Sequence, residues 1–133
     1  MIIKKSTDLF NFRRLHKNCF PSDEFDFDDN THFWIVYDGI KSVGFCALKT
    51  LDSEIVFFSR AGVEQKYKNK GLHKKMIKRR VSWAKRNGYK VAITYVKYDN
   101  PLSLRNLIKC GFDIYIPEWE YAGEQFIYVR KSL

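Results

Sequence analysis

Cysteine is scarce and odd in number: Cys19, Cys46 and Cys110 lie far apart, which argues against a disulfide framework and against a zinc cluster. No metal site is expected. Only three prolines and seven glycines interrupt the chain, and no repeat, linker or low-complexity stretch divides it. No apolar run approaches the length of a membrane span, and Lys4 and Lys5 follow Met1-Ile2-Ile3 with no apolar segment after them, which argues against a signal peptide. A cytoplasmic protein, not membrane-bound, is the expectation. Acidic residues are missing altogether between Lys66 and Lys90, a stretch holding eleven Lys or Arg.

What is present suits a folded chain. Apolar residues make up 45% and aromatic residues 17% of the 133, enough to build one core and to exclude disorder, so residues 1–133 are read as a single domain. The net charge of +9 is concentrated in the 66–90 stretch, whereas five acids crowd between Asp23 and Asp29, interleaved with Phe25 and Phe27. Such polarity points to one anionic client and one cationic client, with two solvated surfaces as the plain alternative.

Periodicity sets the order of elements. Ile2 to Lys5 reads as a strand, and Ser6, Thr7 or Asp8 can cap a helix in which Leu9, Phe12, Leu15, His16, Cys19 and Phe20 share one arc before Pro21. His32 to Tyr37 and Lys41 to Leu48 read as a hairpin about Asp38-Gly39, followed by a strand from Glu54 to Val63. A basic helix runs from Leu72 to Asn87 and stops at Gly88, then Lys90 to Val96 forms a strand. Asn100 caps a further helix with Pro101 in its first turn and Gly111 beyond its end, and Phe112 to Ile116 and Gln125 to Val129 make a last pair of strands. The order β-α-β-β-β-α-β-α-β-β mixes a meander with a strand-helix-strand crossover, an α+β fold with a mixed, mostly antiparallel sheet flanked by helices.

The most informative junction is Val63 to His73, where an apolar strand end, a basic turn and a helix start meet. The first N–H groups of a helix lack intrahelical partners and the helix dipole favours an anion there, so a phosphate fits. Gly71 permits a close backbone approach, and Lys68 and Lys70 add charge. A helix that merely starts after a solvated loop is the simpler alternative.

With these elements in order, the chain resembles the GNAT superfamily of acyl-CoA-dependent N-acetyltransferases over nearly its whole length. The family's acyl-CoA motif has an apolar strand end, Arg or Gln, two residues, Gly, one residue, and Gly or Ala, which here reads Val63, Lys68, Gly71 and His73. Its second motif reads Asn100, Ser103, Leu107 and Gly111-Phe112. The resemblance implies acetyl-CoA as cosubstrate, held by Ala61, Gly62 and Val63 along the pantetheine, by Lys68, Asn69, Lys70, Gly71, Leu72 and His73 at the pyrophosphate, and by Asn100 and Ser103. It also implies transfer of an acetyl group to a primary amine. The mechanism the resemblance implies has a strand N–H polarise the thioester carbonyl and the amine attack directly, with no nucleophilic role for the cysteines.

Three positions depart from the family pattern. Lys68 stands for Arg or Gln, and His73 stands for a small residue on the arc that faces sheet and ligand, where it either donates to a phosphate or crowds the cofactor. Leu107 stands where many relatives carry a tyrosine that protonates the departing thiolate. Tyr98 is the first candidate to replace it, ahead of Tyr95 and Tyr121, with solvent as a further source; Glu54 is the candidate base. A non-catalytic acyl-CoA binder remains an alternative. The acidic, aromatic segments Asp23–Asp29 and Glu118–Glu124 favour a cationic small molecule or a basic peptide as acceptor. The rival from a different class is a nucleic-acid-binding module, its basic residues interleaved with Tyr67, Trp83 and Tyr89; no specific nucleic acid is expected, because no groove-reading motif is present.

Overall fold

Strict alternation along the central strands sorts the apolar side chains into two layers. The computed structural model describes residues Met1–Leu133. Its elements are β1 (Ile2–Ser6), α1 (Leu9–Cys19), β2 (Thr31–Asp38), β3 (Lys41–Thr50), β4 (Ile55–Val63), α2 (Leu72–Arg86), β5 (Val91–Lys97), α3 (Pro101–Lys109), β6 (Asp113–Ile114) and β7 (Phe126–Ser132), with one 3-10 turn at Gln65–Tyr67. The seven strands form one sheet in the order β1-β2-β3-β4-β5-β7-β6. Every pairing is antiparallel except β4 with β5, which α2 joins as a crossover. This is the α+β architecture expected from the order of elements.

Phe33 and Ile35 of β2, with Phe45 and Ala47 of β3, face α1 and bury Phe12 and Leu15. Their neighbours Trp34, Val36, Cys46 and Leu48 point to the opposite face, into the larger core under α2 and α3, with Met76, Ile77, Leu107 and Phe112. Phe12 is fully buried, its ring 4.7 Å from Phe33 and 5.1 Å from Phe45.

The helix ends follow their local chemistry. Of the three candidate caps for α1, Asp8 does the work, accepting from Asn11 N at 3.1 Å. Asn100 caps α3 by accepting from Ser103 N at 3.2 Å, with Pro101 in the first turn. Gly88 and Gly111 follow α2 and α3 with φ of 84° and 96°, the left-handed geometry that ends a helix without a Cβ penalty.

Three boundaries differ from the sequence expectation. The hairpin loop is Gly39-Ile40 rather than Asp38-Gly39, because Asp38 pairs with Lys41. β7 runs to Ser132, since all seven residues of β5 pair with it, while β6 keeps only Asp113–Ile114 as a short edge strand. The 3-10 turn was not foreseen; it is pinned by Tyr67 Oη donating to Asp38 Oδ2 at 2.8 Å. No helix is long and apolar enough to cross a membrane.

Two substitutions test this account by urea denaturation. Phe12→Ala is expected to cost about 3–5 kcal/mol, from lost transfer energy and an unfilled cavity. Asp8→Ala, which removes a cap and leaves the core intact, is expected to cost only about 1 kcal/mol.

Candidate active site

The site begins where two parallel strands part. β4 and β5 pair only from Ile55–Val91 to Phe57–Ile93, although β4 continues to Val63 and β5 to Lys97. Thr94 Oγ1 donates to Phe58 O at 2.8 Å, a side-chain link just beyond the last paired residues. From there to Val63, β4 pairs with β3 alone, so its other edge offers N–H and C=O groups to whatever lies in the opening.

A cleft of about 700 Å³ occupies that opening, bounded by the end of β4, the turn before α2 and the start of α3. Ala61, Gly62, Val63, Lys68, Asn69, Gly71, Leu72, His73, Asn100 and Ser103 all line it. The structure thus gathers these cofactor candidates from four separate elements into one surface; Lys70, in the same turn, is exposed and does not line the cleft. Where the cleft meets the start of α2, the helix has no side-chain cap, and the backbone N–H groups of residues 69–74 donate no hydrogen bond within the protein. Asn69 and Gly71 have φ of 64° and 75°. Glycine at 71 serves this left-handed geometry: a Cβ there would meet no protein atom within 4 Å, so the space beside it is open to a ligand.

Packing from α1 shapes the other wall. A Cβ on Gly62 would lie 3.0 Å from Cys19 Cβ and 3.1 Å from Phe20, so glycine lets the end of α1 close against β4. Asn18, Cys19 and Phe20 line the cleft as a result. The sequence placed Cys19 and Phe20 on the buried arc of α1 but gave no sign that they would border a site.

His73 resolves toward the interior, as its helical position predicts. Its Nδ1 lies 3.1 Å from Asn106 Nδ2, a donor only, so Nδ1 accepts and Nε2 carries the proton. Burial, reinforced by the Arg80 guanidinium, lowers its pKa to about 4. The imidazole is therefore neutral near pH 7 and adds no positive charge to the cleft.

A smaller pocket of about 120 Å³ continues the cleft at the point of separation, with Ala61, His73 and Ser103 lining both. Phe58, Ser59, Arg80, Thr94, Tyr95 and Leu107 complete much of its wall. Ser59 Oγ is buried without a hydrogen-bond partner. Arg80 is the residue that sequence reasoning missed. A signal existed: eight residues from Leu72 puts it about 80° round the helix, on the same inward arc as His73 and Met76.

Neither proposed proton-transfer residue reaches the cleft. Tyr98 is 64% exposed beyond the end of β5 and lines neither cavity. Glu54 is exposed before the start of β4, at the end where β4 and β5 are still paired, with its carbonyl accepting from Lys90 N and Val91 N. Of the other tyrosines, Tyr95 lines the small pocket, and Tyr121 packs on the Tyr95 ring, its pKa pushed up by burial and by the neighbouring Tyr115 hydroxyl. Leu107 is buried and lines the small pocket.

The charged segments divide in use. Asp23 pairs with Arg60 at 2.9 Å, and Lys49 approaches Asp28 at 3.3 Å and Asp26 at 3.8 Å, so three of the five acids in that loop meet bases of this chain. Phe25 and Phe27 pack on Phe12. Glu118, Glu120 and Glu124 form no ion pair and are exposed.

The comparisons with known proteins agree with this geometry. Residues 4–112 match the model of the acetyltransferase (GNAT) family, and the chain belongs to that family. A GNAT family acetyltransferase from Elizabethkingia anophelis with acetyl-CoA bound is similar to this chain at 20% identity and a TM-score of 0.80, over 99% of this chain and 97% of that one. An acetyltransferase from Bacillus subtilis in complex with CoA is similar at 19% identity and a TM-score of 0.76, over 98% and 97%. The ribosomal-protein-S18-alanine N-acetyltransferase from Escherichia coli is similar at 12% identity and a TM-score of 0.79, over 98% and 92%. At these identities the likeness is one of fold, and no curated protein matches the sequence.

The state of His73 is open to direct measurement. Nuclear magnetic resonance of its ring should show no protonation as pH falls from 8 to 5, with titration near 4. Because its folded pKa lies below the unfolded value of about 6.5, the unfolded chain takes up the proton first, so this residue lowers folding stability as pH falls through 6.5 toward 4. His73→Gln should remove that part of the pH dependence.

Proposed function

We propose that this acetyltransferase moves the acetyl group of acetyl-CoA to a primary amine of a cationic small molecule or a basic peptide. The observation that carries the reading is the joining of two features in one cleft: unsatisfied N–H groups at residues 69–74, and the free edge of β4 from Ala61 to Val63. The first suits a pyrophosphate, since it offers aligned donors and the positive end of the α2 dipole. The second suits the amides of a pantetheine arm, which can pair with a strand edge as another strand would. Asn100 Oδ1 is engaged in capping α3, which leaves its Nδ2 to serve as a donor to the cofactor.

Transfer then needs three things of the chain. A β4 N–H on the free edge polarises the thioester carbonyl, fixed in place by the β3 pairing behind it. The neutral amine attacks the carbonyl carbon from the α1 side, and its proton passes to solvent or to a group there. The departing sulfur must be stabilised. The three unpaired acids of the β6–β7 loop supply the attraction for a cationic acceptor, more than the Asp23–Asp29 loop, whose acids are largely engaged.

The nucleic-acid reading loses its stacking residues. Tyr67 is buried and bonded to Asp38, while Trp83 packs on His32, Trp34 and Tyr89. What remains is an exposed basic helix face at Lys75, Lys78, Arg79, Lys85 and Arg86, enough for weak, salt-sensitive attraction only.

Calorimetric titration with acetyl-CoA and desulfo-CoA tests the donor. Gly71→Glu should weaken binding at least tenfold, about 1.4 kcal/mol, while Lys78→Glu with Lys85→Glu changes it little. Equal affinity in a folded Gly71→Glu protein would remove the proposed site. Submicromolar binding to a nucleic acid at physiological salt, without CoA affinity, would favour the rival. A panel of polyamines, aminoglycosides, amino acids and basic peptides, read by release of free CoA thiol, tests the acceptor; with any substrate found, Tyr98→Phe should retain turnover, because Tyr98 lies outside the cleft.

A further inference from the structure

Arg80 is a cation almost without exposure, at 3%, and no carboxylate accompanies it. Buried arginines are ordinarily paired, because desolvating a charge costs several kcal/mol unless an opposite charge or a full set of acceptors offsets it. Arg80 has two acceptors only. Nε donates to Met76 O at 3.3 Å and Nη1 to Ala47 O at 3.1 Å, and the guanidinium stacks on Phe58 at 4.4 Å from the ring centroid. The Ala47 contact falls at the register shift where Ser59 bulges out of β4, so one N–H serves the backbone at an interrupted ladder. Nη2 has no acceptor in the protein, and Arg80 lines the 120 Å³ pocket at the separation of β4 and β5, together with Leu107, His73 and the unpartnered Ser59. The arrangement is a prepared place for a negative charge.

Acyl transfer creates one there. An arm that enters beside Val63 and follows the free edge of β4 reaches Ser59 after four residues, about 13 Å at strand rise, which brings its thioester to the small pocket. When the amine nitrogen bonds to the carbonyl carbon, the C–S bond breaks and its electron pair leaves on sulfur; the proton of the amine departs separately to solvent. Of the two α3 residues in that pocket, Leu107 has no proton to give and Ser103 offers only an aliphatic hydroxyl, a far weaker acid than a thiol. We propose that the Arg80 guanidinium is the group that stabilises the departing CoA thiolate, by charge and by an Nη2–H bond to sulfur, so that no proton donor is required at this position. This inference rests on the acetyl-CoA reading above.

The other titratable or charged side chains around the pocket are His73 of α2, Arg60 of β4 and Tyr95 of β5, with Cys46 of β3 behind Arg80. His73 is held neutral by burial and by Arg80 itself, and burial pushes the Cys46 thiol up to about 11, so neither supplies the charge in the neutral range.

The test reads the thiol of bound CoA and needs no acceptor. Thiolate absorbance is followed against pH for the CoA complex, with the desulfo-CoA complex subtracted so that Cys19, Cys46 and Cys110 cancel. In the wild-type complex the CoA thiol should titrate at least one pH unit below an ordinary thiol, whose pKa is about 8.5. Arg80→Met should return most of that shift, and Arg80→Gln, which keeps a side-chain N–H for Ala47 O, should do the same if the Met variant fails to fold. A wild-type thiol that titrates as in free CoA overturns the proposal without recourse to any variant. So does a depressed pKa that survives in both folded variants, which would place the source in the α2 N-terminus or the lysines of the turn. Failure of CoA to bind the wild type sinks the acetyl-CoA reading and this inference with it, whereas binding with an unshifted thiol sinks this inference alone.

Discussion

The site depends on one limit to pairing. Parallel β4 and β5 hold together for three residues each and then diverge, with Thr94 Oγ1 on Phe58 O as the link at the parting. Had pairing continued to Val63 and Lys97, the edge of β4 would be consumed by β5 and no cleft would exist between them. The bulge at Ser59 belongs to the same constraint, since it turns β4 just beyond the last paired residue and increases local twist. The opening is kept from collapse by what borders it: α2 and α3 pack on the large core below, and α1 closes on Gly62 from the opposite face.

Charge follows the same geometry. Most of the basic residues between Lys66 and Lys90 are solvated and serve no partner in the protein. Arg80 belongs to the same run but sits on the inward arc, where desolvation makes one guanidinium count for more than several exposed lysines. Its field also accounts in part for the neutral state of His73, a residue that composition alone would count as a further phosphate-binding cation. A basic helix therefore contributes to this site through its uncapped N-terminus and one buried side chain, and little through its net charge.

The fold was legible because its signals are local. Caps at Asp8 and Asn100, glycines at 88 and 111, and alternation in β2 and β3 each name an element without reference to the rest of the chain. The end of the cleft formed by the turn before α2 was legible for the same reason, since strand, turn and helix start are contiguous from Val63 to His73. The placement of the proton-transfer candidates was not. Tyr98 adjoins the Asn100 cap in sequence, but the chain leaves the sheet there and turns it outward, and Glu54 lies at the end of β4 away from the opening. Arg80 and Asn106 act through contacts to β3 and to His73, at sequence separations that periodicity cannot span.

On the reading proposed above, acceptor selectivity would fall to a different set of groups from those that line the cleft. Phe57, Tyr95, Tyr121, Phe126 and Tyr128 form a cluster of rings between the sheet and the β6–β7 loop, and Tyr128 Oη fixes that loop by accepting from Ala122 N and donating to Gly123 O. The loop is thereby anchored at its aromatic base while its acids face solvent. Arg60 holds Asp23 and stacks on Phe20, which ties the loop after α1 to β4 and neutralises that acid. On the same reading, a cationic acceptor would be drawn by Glu118, Glu120 and Glu124 rather than by the reaction centre. That separation is chemically useful, because the attacking nitrogen must be neutral: a carboxylate close beside it would favour the ammonium form, whereas acids at a distance attract the rest of the molecule and leave the nucleophile free to lose its proton.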